Sequence, residues 1–82
     1  MKEIPGREAL SIASIENNFT YHKPFGHQQE RYERIRALGK ELAYELFGNC
    51  PTSRELSLAL TKLEESIMWA NSAIARNEKE VD

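Results

Sequence analysis

The chain has 82 residues, a formal net charge of −2 and a single cysteine, Cys50. This length makes one small domain with a modest core, and one cysteine excludes a disulfide framework. The sequence has no group of Cys and His residues at zinc-site spacing and no apolar run near the ~20 residues of a membrane span. We therefore expect no metal, no cofactor and no membrane partner. A free cysteine without a secretory signal pattern indicates a reducing cytoplasm.

The charges are unevenly distributed along the chain. Residues 22–40 contain five Lys or Arg against two Glu, whereas residues 78–82 are mostly acidic. A chain with this overall balance is not a polybasic nucleic-acid binder, so no DNA or RNA polymer is expected as a partner. A locally basic middle suits a compact anion, and the alternative is that these charges only solvate helix surfaces.

Residues 1–26 are expected to form an N-terminal arm. A weak apolar pattern predicts a short helix from Arg7 to Glu16. Pro24 and Gly26 interrupt the residues that follow, which have no apolar period. We expect an extended or turning segment there.

A first long helix is predicted over residues 27–48. Gly39 lies on its apolar face, where glycine costs about 1 kcal/mol of helix propensity relative to alanine. This position indicates either the close approach of another backbone or clearance for a ligand. Gly48 is predicted to end the helix in the left-handed conformation that glycine tolerates. The face repeats at steps of three and four and consists of Tyr32, Ile35, Gly39, Leu42 and Leu46.

A second long helix is predicted over residues 51–78. Thr52 and Glu55 fit a capping box at its start. The short connection makes the two helices antiparallel and is expected to pair Gly39 with Leu60. The arm then falls beside the end of this helix that carries Trp69 to Arg76. Its apolar seam consists of Leu56, Leu60, Leu63, Ile67, Ala70 and Ile74.

The sequence therefore predicts an all-α protein, an antiparallel two-helix hairpin with an N-terminal arm. Several apolar side chains lie off the seams, and a lone hairpin cannot cover them all. Exposed apolar patches of this kind usually mark protein contacts, and closed symmetric assemblies dominate among soluble oligomers. We expect a homo-oligomer. The side chains in question are Phe47, Leu58, Met68 and Trp69.

The arm carries the first candidate ligand-binding residues. Tyr21 belongs to neither helix seam, and a tyrosine can stack on a nucleobase. Thr20 and His22 flank it and offer hydrogen-bonding groups for base edges. A helical hairpin needs no such segment to fold, so we interpret it as a binding segment for a small anionic nucleotide.

The helices supply the other candidates. Arg36 and Lys40 follow Tyr32 at steps of four, and two cations can engage phosphates. Asn71 and Arg76 form a polar pair in an alanine-rich turn of the second helix. Each has a structural alternative: Tyr32 packs in the core, the cations are solvated, and Arg76 only favours the C-terminal helix dipole.

Two other classes of function compete with nucleotide binding. An enzyme is not expected, because the chain lacks a Gly-rich phosphate loop, a nucleophile elbow and a metal motif. A small helical adaptor or inhibitor needs only the hydrophobic seam. It leaves the polar segment around Tyr21 without a role.

The residues also resemble a known family, the small phage anti-CBASS proteins that act as cyclic-oligonucleotide sponges and share a helical hairpin domain with phage anti-Thoeris sponges. The resemblance covers about residues 15–78. It rests on Asn-Asn-Phe-Thr-Tyr-His-x-Pro at 17–24, Arg-Tyr-x-x-Ile-Arg at 31–36, Lys-Glu-Leu-Ala at 40–43, Cys-Pro-x-Ser-Arg-Glu at 50–55, Ser-Leu-Ala-Leu-Thr-x-Leu-Glu at 57–64 and Met-Trp-Ala-Asn-x-Ala-Ile-Ala-Arg-Asn-Glu at 68–78.

This resemblance implies a homohexamer in the cytoplasm of an infected bacterial host. It would sequester cyclic dinucleotides such as cyclic GMP-AMP without cleaving them, and so starve CBASS effectors of their activator. By position Tyr21 matches the base-stacking tyrosine of the family, and either Arg36 or Lys40 matches its phosphate-binding residue. Arg76 is nearest to an arginine associated with a separate cyclic trinucleotide site.

Overall fold

The computed structural model describes residues 11–80, which form three helices in the order α1 (Ile12–Asn18), α2 (Gln28–Asn49) and α3 (Arg54–Asn77). No strand occurs within these residues, so the predicted all-α class is confirmed. No helix in this part of the chain is both long and apolar enough to cross a membrane.

α1 is a short helix with its own cap. The Ser11 side-chain oxygen accepts a hydrogen bond from the Ser14 backbone N–H at 3.1 Å. This bond satisfies a donor that the first helical turn leaves free. The helix therefore begins at Ile12 and continues two residues past the predicted end at Glu16. Residues 7–10 of the predicted helix lie outside the described residues.

The end of α2 differs from the prediction. Gly48 is helical, and among residues 11–80 a left-handed backbone occurs only at Gly26, with φ +58, just before α2. The helix stops at Asn49 because Cys50 is extended, with φ −119 and ψ 141. A residue that precedes proline avoids the helical region, so Pro51 ends the helix and no left-handed glycine is needed.

The cap of α3 also differs from the prediction. Ser53, rather than Thr52, accepts a hydrogen bond from the Leu56 N–H, at 3.1 Å. Because α3 starts at Arg54 and not at residue 51, Glu55 is its second residue and cannot close a capping box from the third.

The helices are antiparallel as predicted, but their register is different. A Cβ atom placed on Gly39 would lie 2.7 Å from both Cγ1 and Cδ1 of Ile67. The predicted partner was Leu60, two helical turns earlier. α2 runs to Asn49 and α3 begins only at Arg54, so the centre of the turn lies later than predicted. The close approach at Gly39 is thus to a side chain and not to a backbone.

The hairpin buries little apolar surface by itself. Within residues 11–80 only Leu56 is a buried apolar side chain, with 7% exposure. Phe47 is 66% and Trp69 63% exposed, and Leu58 and Met68 are exposed as well. These are the off-seam side chains that the sequence predicted a lone hairpin would leave uncovered. That prediction is confirmed, while the oligomer inferred from it stays a prediction.

Candidate functional site

A polar clamp closes the open end of the hairpin. The Glu78 carboxylate, just beyond α3, accepts hydrogen bonds from Nη1 and Nη2 of Arg31 at 2.7 and 2.5 Å, and from Nε2 of Gln28 at 3.1 Å. Gln28 is buried, and its Oε1 accepts the Phe25 N–H at 3.1 Å. The clamp thus fixes the point where the arm enters α2.

The clamp also perturbs the carboxylate that forms it. Hydrogen bonds from Arg31 and then from Gln28 lower the pKa of Glu78 to about 2, because they favour its charged form. The same contact with Glu78 raises the pKa of Arg31. Glu78 therefore stays ionised well into the acid range.

Two further hydrogen bonds attach the arm to the end of α3. Asn17 Nδ2 donates to the backbone oxygen of Arg76 at 3.0 Å. The backbone oxygen of Asn17 accepts from His22 Nε2 at 2.8 Å. The arm lies beside the end of the hairpin that the sequence predicted. His22 is consequently turned towards the helices.

The arm and both long helices border one groove, which we name the arm groove. It has a volume of about 290 Å³. Three candidate residues from three different segments meet there: His22 from the arm, Arg36 from α2 and Asn71 from α3. The remaining lining residues are Tyr32, Ser72 and Ala75.

One polar atom beside the arm groove has no partner. Oδ1 of Asn71 is buried and accepts no hydrogen bond. Leaving a buried acceptor unsatisfied costs about 1–3 kcal/mol. Asn71 thus stabilises the single chain less than a fully bonded amide would, and its oxygen is an acceptor that residues 11–80 leave unused.

A second groove, which we name the seam groove, lies between α2 and α3. It has a volume of about 480 Å³, and its walls are mainly apolar. Arg36 and Lys40 stand at this groove on successive turns of α2, and Arg36 borders the arm groove as well. Lys40 does not line the arm groove. The apolar walls include Leu60, Leu63, Ile67 and Met68.

Three candidate residues line neither groove in the single chain. Tyr21 is 82% exposed. Thr20 is also exposed, and its Oγ1 donates to the backbone oxygen of Glu16 at 2.5 Å. The Arg76 guanidinium lies over the Trp69 ring, 5.8 Å from its centre, which is within cation–π range. The structure therefore joins His22, Arg36 and Asn71, and leaves Tyr21, Thr20 and Arg76 apart from them.

The comparisons with known proteins give one match. The family model of the Acb2/Tad1 hairpin domain matches residues 11–75, most of the chain. The chain belongs to the Acb2/Tad1 hairpin family. Neither the search of curated proteins nor the search of solved structures returned a match.

The Acb2/Tad1 family is a family of sponge-type binding domains, not of known enzymes. Membership is consistent with an anti-defence role and suggests cyclic oligonucleotide signals as ligands. The matched residues include every residue that lines the arm groove. Arg76 and Glu78 lie just beyond them.

Sequence reasoning missed the residues that hold the site together. The sequence places Glu78 in an acidic end and in a family motif, and it predicts no structural role for Gln28 or Arg31. Asn17 is expected to offer hydrogen-bonding groups to a base edge, and its tie to α3 is not predicted. The available signal is the acidic residue Glu78 just after α3. It can be paired with Gln28 and Arg31 only when the register of the two helices is known.

No group of three or more His, Cys, Asp or Glu side chains within residues 11–80 is arranged to hold a metal ion.

Proposed function

We propose that this protein binds cyclic dinucleotide second messengers, such as cyclic GMP-AMP, and holds them without cleaving them. In an infected bacterial cell it would act in the cytoplasm and keep the signal from CBASS effectors. The observation that carries the proposal is the meeting of His22, Arg36 and Asn71 at one groove of an Acb2/Tad1 hairpin.

The chemistry of the groove supports a nucleotide ligand. Arg36 offers a guanidinium fork that matches a phosphate. Lys40 stands one turn further along α2 and adds a second positive charge at the adjoining seam groove. His22 and Asn71 offer the hydrogen-bonding groups that a base edge requires. Cation and base-reading groups on neighbouring surfaces match a molecule that alternates phosphates and bases.

The size of the groove supports half a ligand for each chain. Pockets for drug-sized molecules have volumes of about 300–1,000 Å³, and the arm groove has about 290 Å³. A cyclic dinucleotide has two bases and two phosphates in a pseudo-twofold ring. Two copies of the chain would supply two arm grooves and two exposed Tyr21 rings for stacking. The exposed apolar side chains support such self-association, and we propose a homo-oligomer, with the hexamer as the expected size.

A second ligand class belongs to the same proposal. The family resemblance associates an arginine near the end of α3 with cyclic trinucleotides, and Arg76 is the nearest match. Its guanidinium lies over Trp69 and does not line the arm groove. We therefore propose that any trinucleotide binds separately from the dinucleotide.

A titration followed by recovery of the ligand tests the sponge mechanism. Cyclic GMP-AMP is titrated into the protein by calorimetry, and the complex is then heat-denatured and the ligand analysed. We expect heat of binding and an intact recovered ligand. A linear product would indicate a phosphodiesterase, and the absence of heat would favour the adaptor.

Tyr21→Ala tests the role of the exposed ring. Stacking of a base on an aromatic side chain is worth about 1–3 kcal/mol, so affinity for cyclic GMP-AMP should fall roughly 5- to 150-fold. The solution mass should not change, because Tyr21 packs against neither long helix. Phe19→Ala is the matched control, since Phe19 is an aromatic residue of the same segment with 88% exposure. Equal losses in the two variants would contradict the assignment.

A further inference from the structure

The hydrogen bond of His22 decides which of its ring nitrogens can accept. The Asn17 backbone oxygen can only accept, so His22 Nε2 must carry the hydrogen of the 2.8 Å bond. In the neutral ring the other nitrogen, Nδ1, then has a free lone pair. Nδ1 has no hydrogen-bond partner within residues 11–80. One wall of the arm groove therefore brings an acceptor.

A second acceptor belongs to Asn71 on α3. Asn71 Oδ1 is the buried oxygen without a donor. The terminal torsion of asparagine is broad, so the amide can rotate when a ligand donor reaches the arm groove. Asn71 and His22 both line that groove. The site thus combines two acceptors that the protein itself leaves without donors.

We infer that the arm groove selects a base with an exocyclic amino group, of which the 6-amino group of adenine is the clearest case. Such a group has two hydrogens, one for His22 Nδ1 and one for Asn71 Oδ1. An asparagine amide can also donate to the neighbouring ring nitrogen of adenine while it accepts from the amino group. A carbonyl in the same place would face two acceptors and be rejected. This inference rests on the proposed function and adds the class of base.

Asn17 is then a positioning residue for this selection. Its backbone oxygen orients the His22 ring, and its side chain ties that backbone to the Arg76 carbonyl of α3. Both of these hydrogen bonds lie within the protein, so neither brings Asn17 into contact with the ligand. Without the tie to α3, His22 would lose its fixed direction relative to Asn71.

The direct test compares two cyclic dinucleotides that differ only along the amino edge of the base. Cyclic di-AMP carries the 6-amino group beside an N1 lone pair, and cyclic di-IMP carries a 6-carbonyl beside an N1 hydrogen, with the same sugars and phosphates. We expect cyclic di-AMP to bind roughly 10- to 100-fold more tightly. Equal affinities, or tighter binding of cyclic di-IMP, would overturn this inference and leave the proposed function standing. If neither of these nor cyclic GMP-AMP binds, the proposed function fails as well.

Asn17→Asp tests the positioning role with little change of shape. A carboxylate has no hydrogen to donate to the Arg76 carbonyl, so the preference for cyclic di-AMP over cyclic di-IMP should fall to within about threefold. Asn18→Asp is the control, because it adds the same charge at an exposed neighbour whose side chain makes no hydrogen bond within residues 11–80. Retained preference in Asn17→Asp, or equal loss in Asn18→Asp, would overturn the role.

Nitrogen NMR of the histidine rings reports which ring nitrogen carries the hydrogen, a property that does not depend on the stability of the fold. The chain has two histidines, and His27 is an exposed internal reference. In the free protein His22 should show its hydrogen on Nε2, and cyclic di-AMP should shift Nδ1. A His22 ring with its hydrogen on Nδ1 would overturn the inference.

Asn71→Ala keeps the inference falsifiable if Asn17→Asp does not fold. This variant removes an acceptor that has no partner, so it breaks no hydrogen bond of the described structure. It should fold and lose most of the preference for cyclic di-AMP. A folded Asn71→Ala protein with the full preference would overturn the inference.

Discussion

The two grooves of this hairpin differ in how the chain completes them. The arm groove is held by polar contacts, Asn17 to Arg76 and His22 to Asn17, and Asn71 beside it has a buried acceptor without a donor. The walls of the seam groove are mainly aliphatic. The first groove leaves a polar atom unpaired, and the second leaves apolar surface uncovered. The proposed ligand binding and the proposed self-association would therefore use different surfaces of the same two helices.

Arg36→Ala should have the largest effect, because Arg36 borders both grooves. A hydrogen bond to a charged group contributes about 1.5–3 kcal/mol, so affinity for cyclic GMP-AMP should fall roughly 10- to 150-fold. Calorimetric titration measures the loss. Arg34→Ala is the control, since Arg34 is exposed on the same helix and lines neither groove. If Arg34→Ala weakens binding equally, a general effect of positive charge replaces the arm groove as the explanation.

Gly39→Ala tests the helix packing at the seam groove. The new Cβ would lie 2.7 Å from Ile67 Cγ1 and Cδ1. Overpacking costs about 1–3 kcal/mol, and alanine regains about 1 kcal/mol of helix propensity. The free energy of unfolding in urea should therefore fall by up to about 2 kcal/mol.

Gly48→Ala is the matched control for that change. Gly48 is helical, and a Cβ atom there meets nothing within 4 Å. The same substitution should raise the free energy of unfolding by up to about 1 kcal/mol. Stabilisation by both variants would mean that Ile67 moves freely and that Gly39 is not needed for helix packing.

Glu78→Gln should have the smallest effect, and its sign depends on pH. The lowered pKa of Glu78 means that its stabilising contribution is present above the ordinary carboxyl pKa of 4.5 and is lost as pH falls towards 2. The variant should be slightly less stable at pH 7, and the difference should shrink in acid. Thermal unfolding at pH 7, 4 and 2 measures it. Glu80→Gln is the control, and a constant difference across this range would contradict the clamp.

Much of the fold was predictable because the apolar periodicity of α2 and α3 is strong. The register was not, because it depends on where the turn is centred. That centre lies later in the chain for two reasons. Ser53 rather than Thr52 caps α3, and Cys50 before Pro51 is extended. Local sequence preferences identify residue types that can cap a helix, but they do not decide between neighbours such as Thr52 and Ser53.

The candidate site was predictable in part for the same reason. His22, Arg36 and Asn71 were expected to bind and are brought together by the fold. The roles of Asn17, Gln28 and Glu78 depend on contacts between residues some fifty or more positions apart, which no local pattern contains. The ligand-binding role of every candidate residue stays a prediction, and Tyr21, Thr20 and Arg76 line neither groove in the single chain.

The shared position of Arg36 has a thermodynamic consequence. A single guanidinium borders two cavities, so a molecule or a second chain that fills one of them changes the surroundings of the charge seen by the other. Any such influence must be reciprocal. The coupling free energy between two binding equilibria has one value, so each binding event changes the other's affinity by the same factor. If packing along the aliphatic wall tightens capture of the nucleotide, capture of the nucleotide must tighten the packing by the same factor.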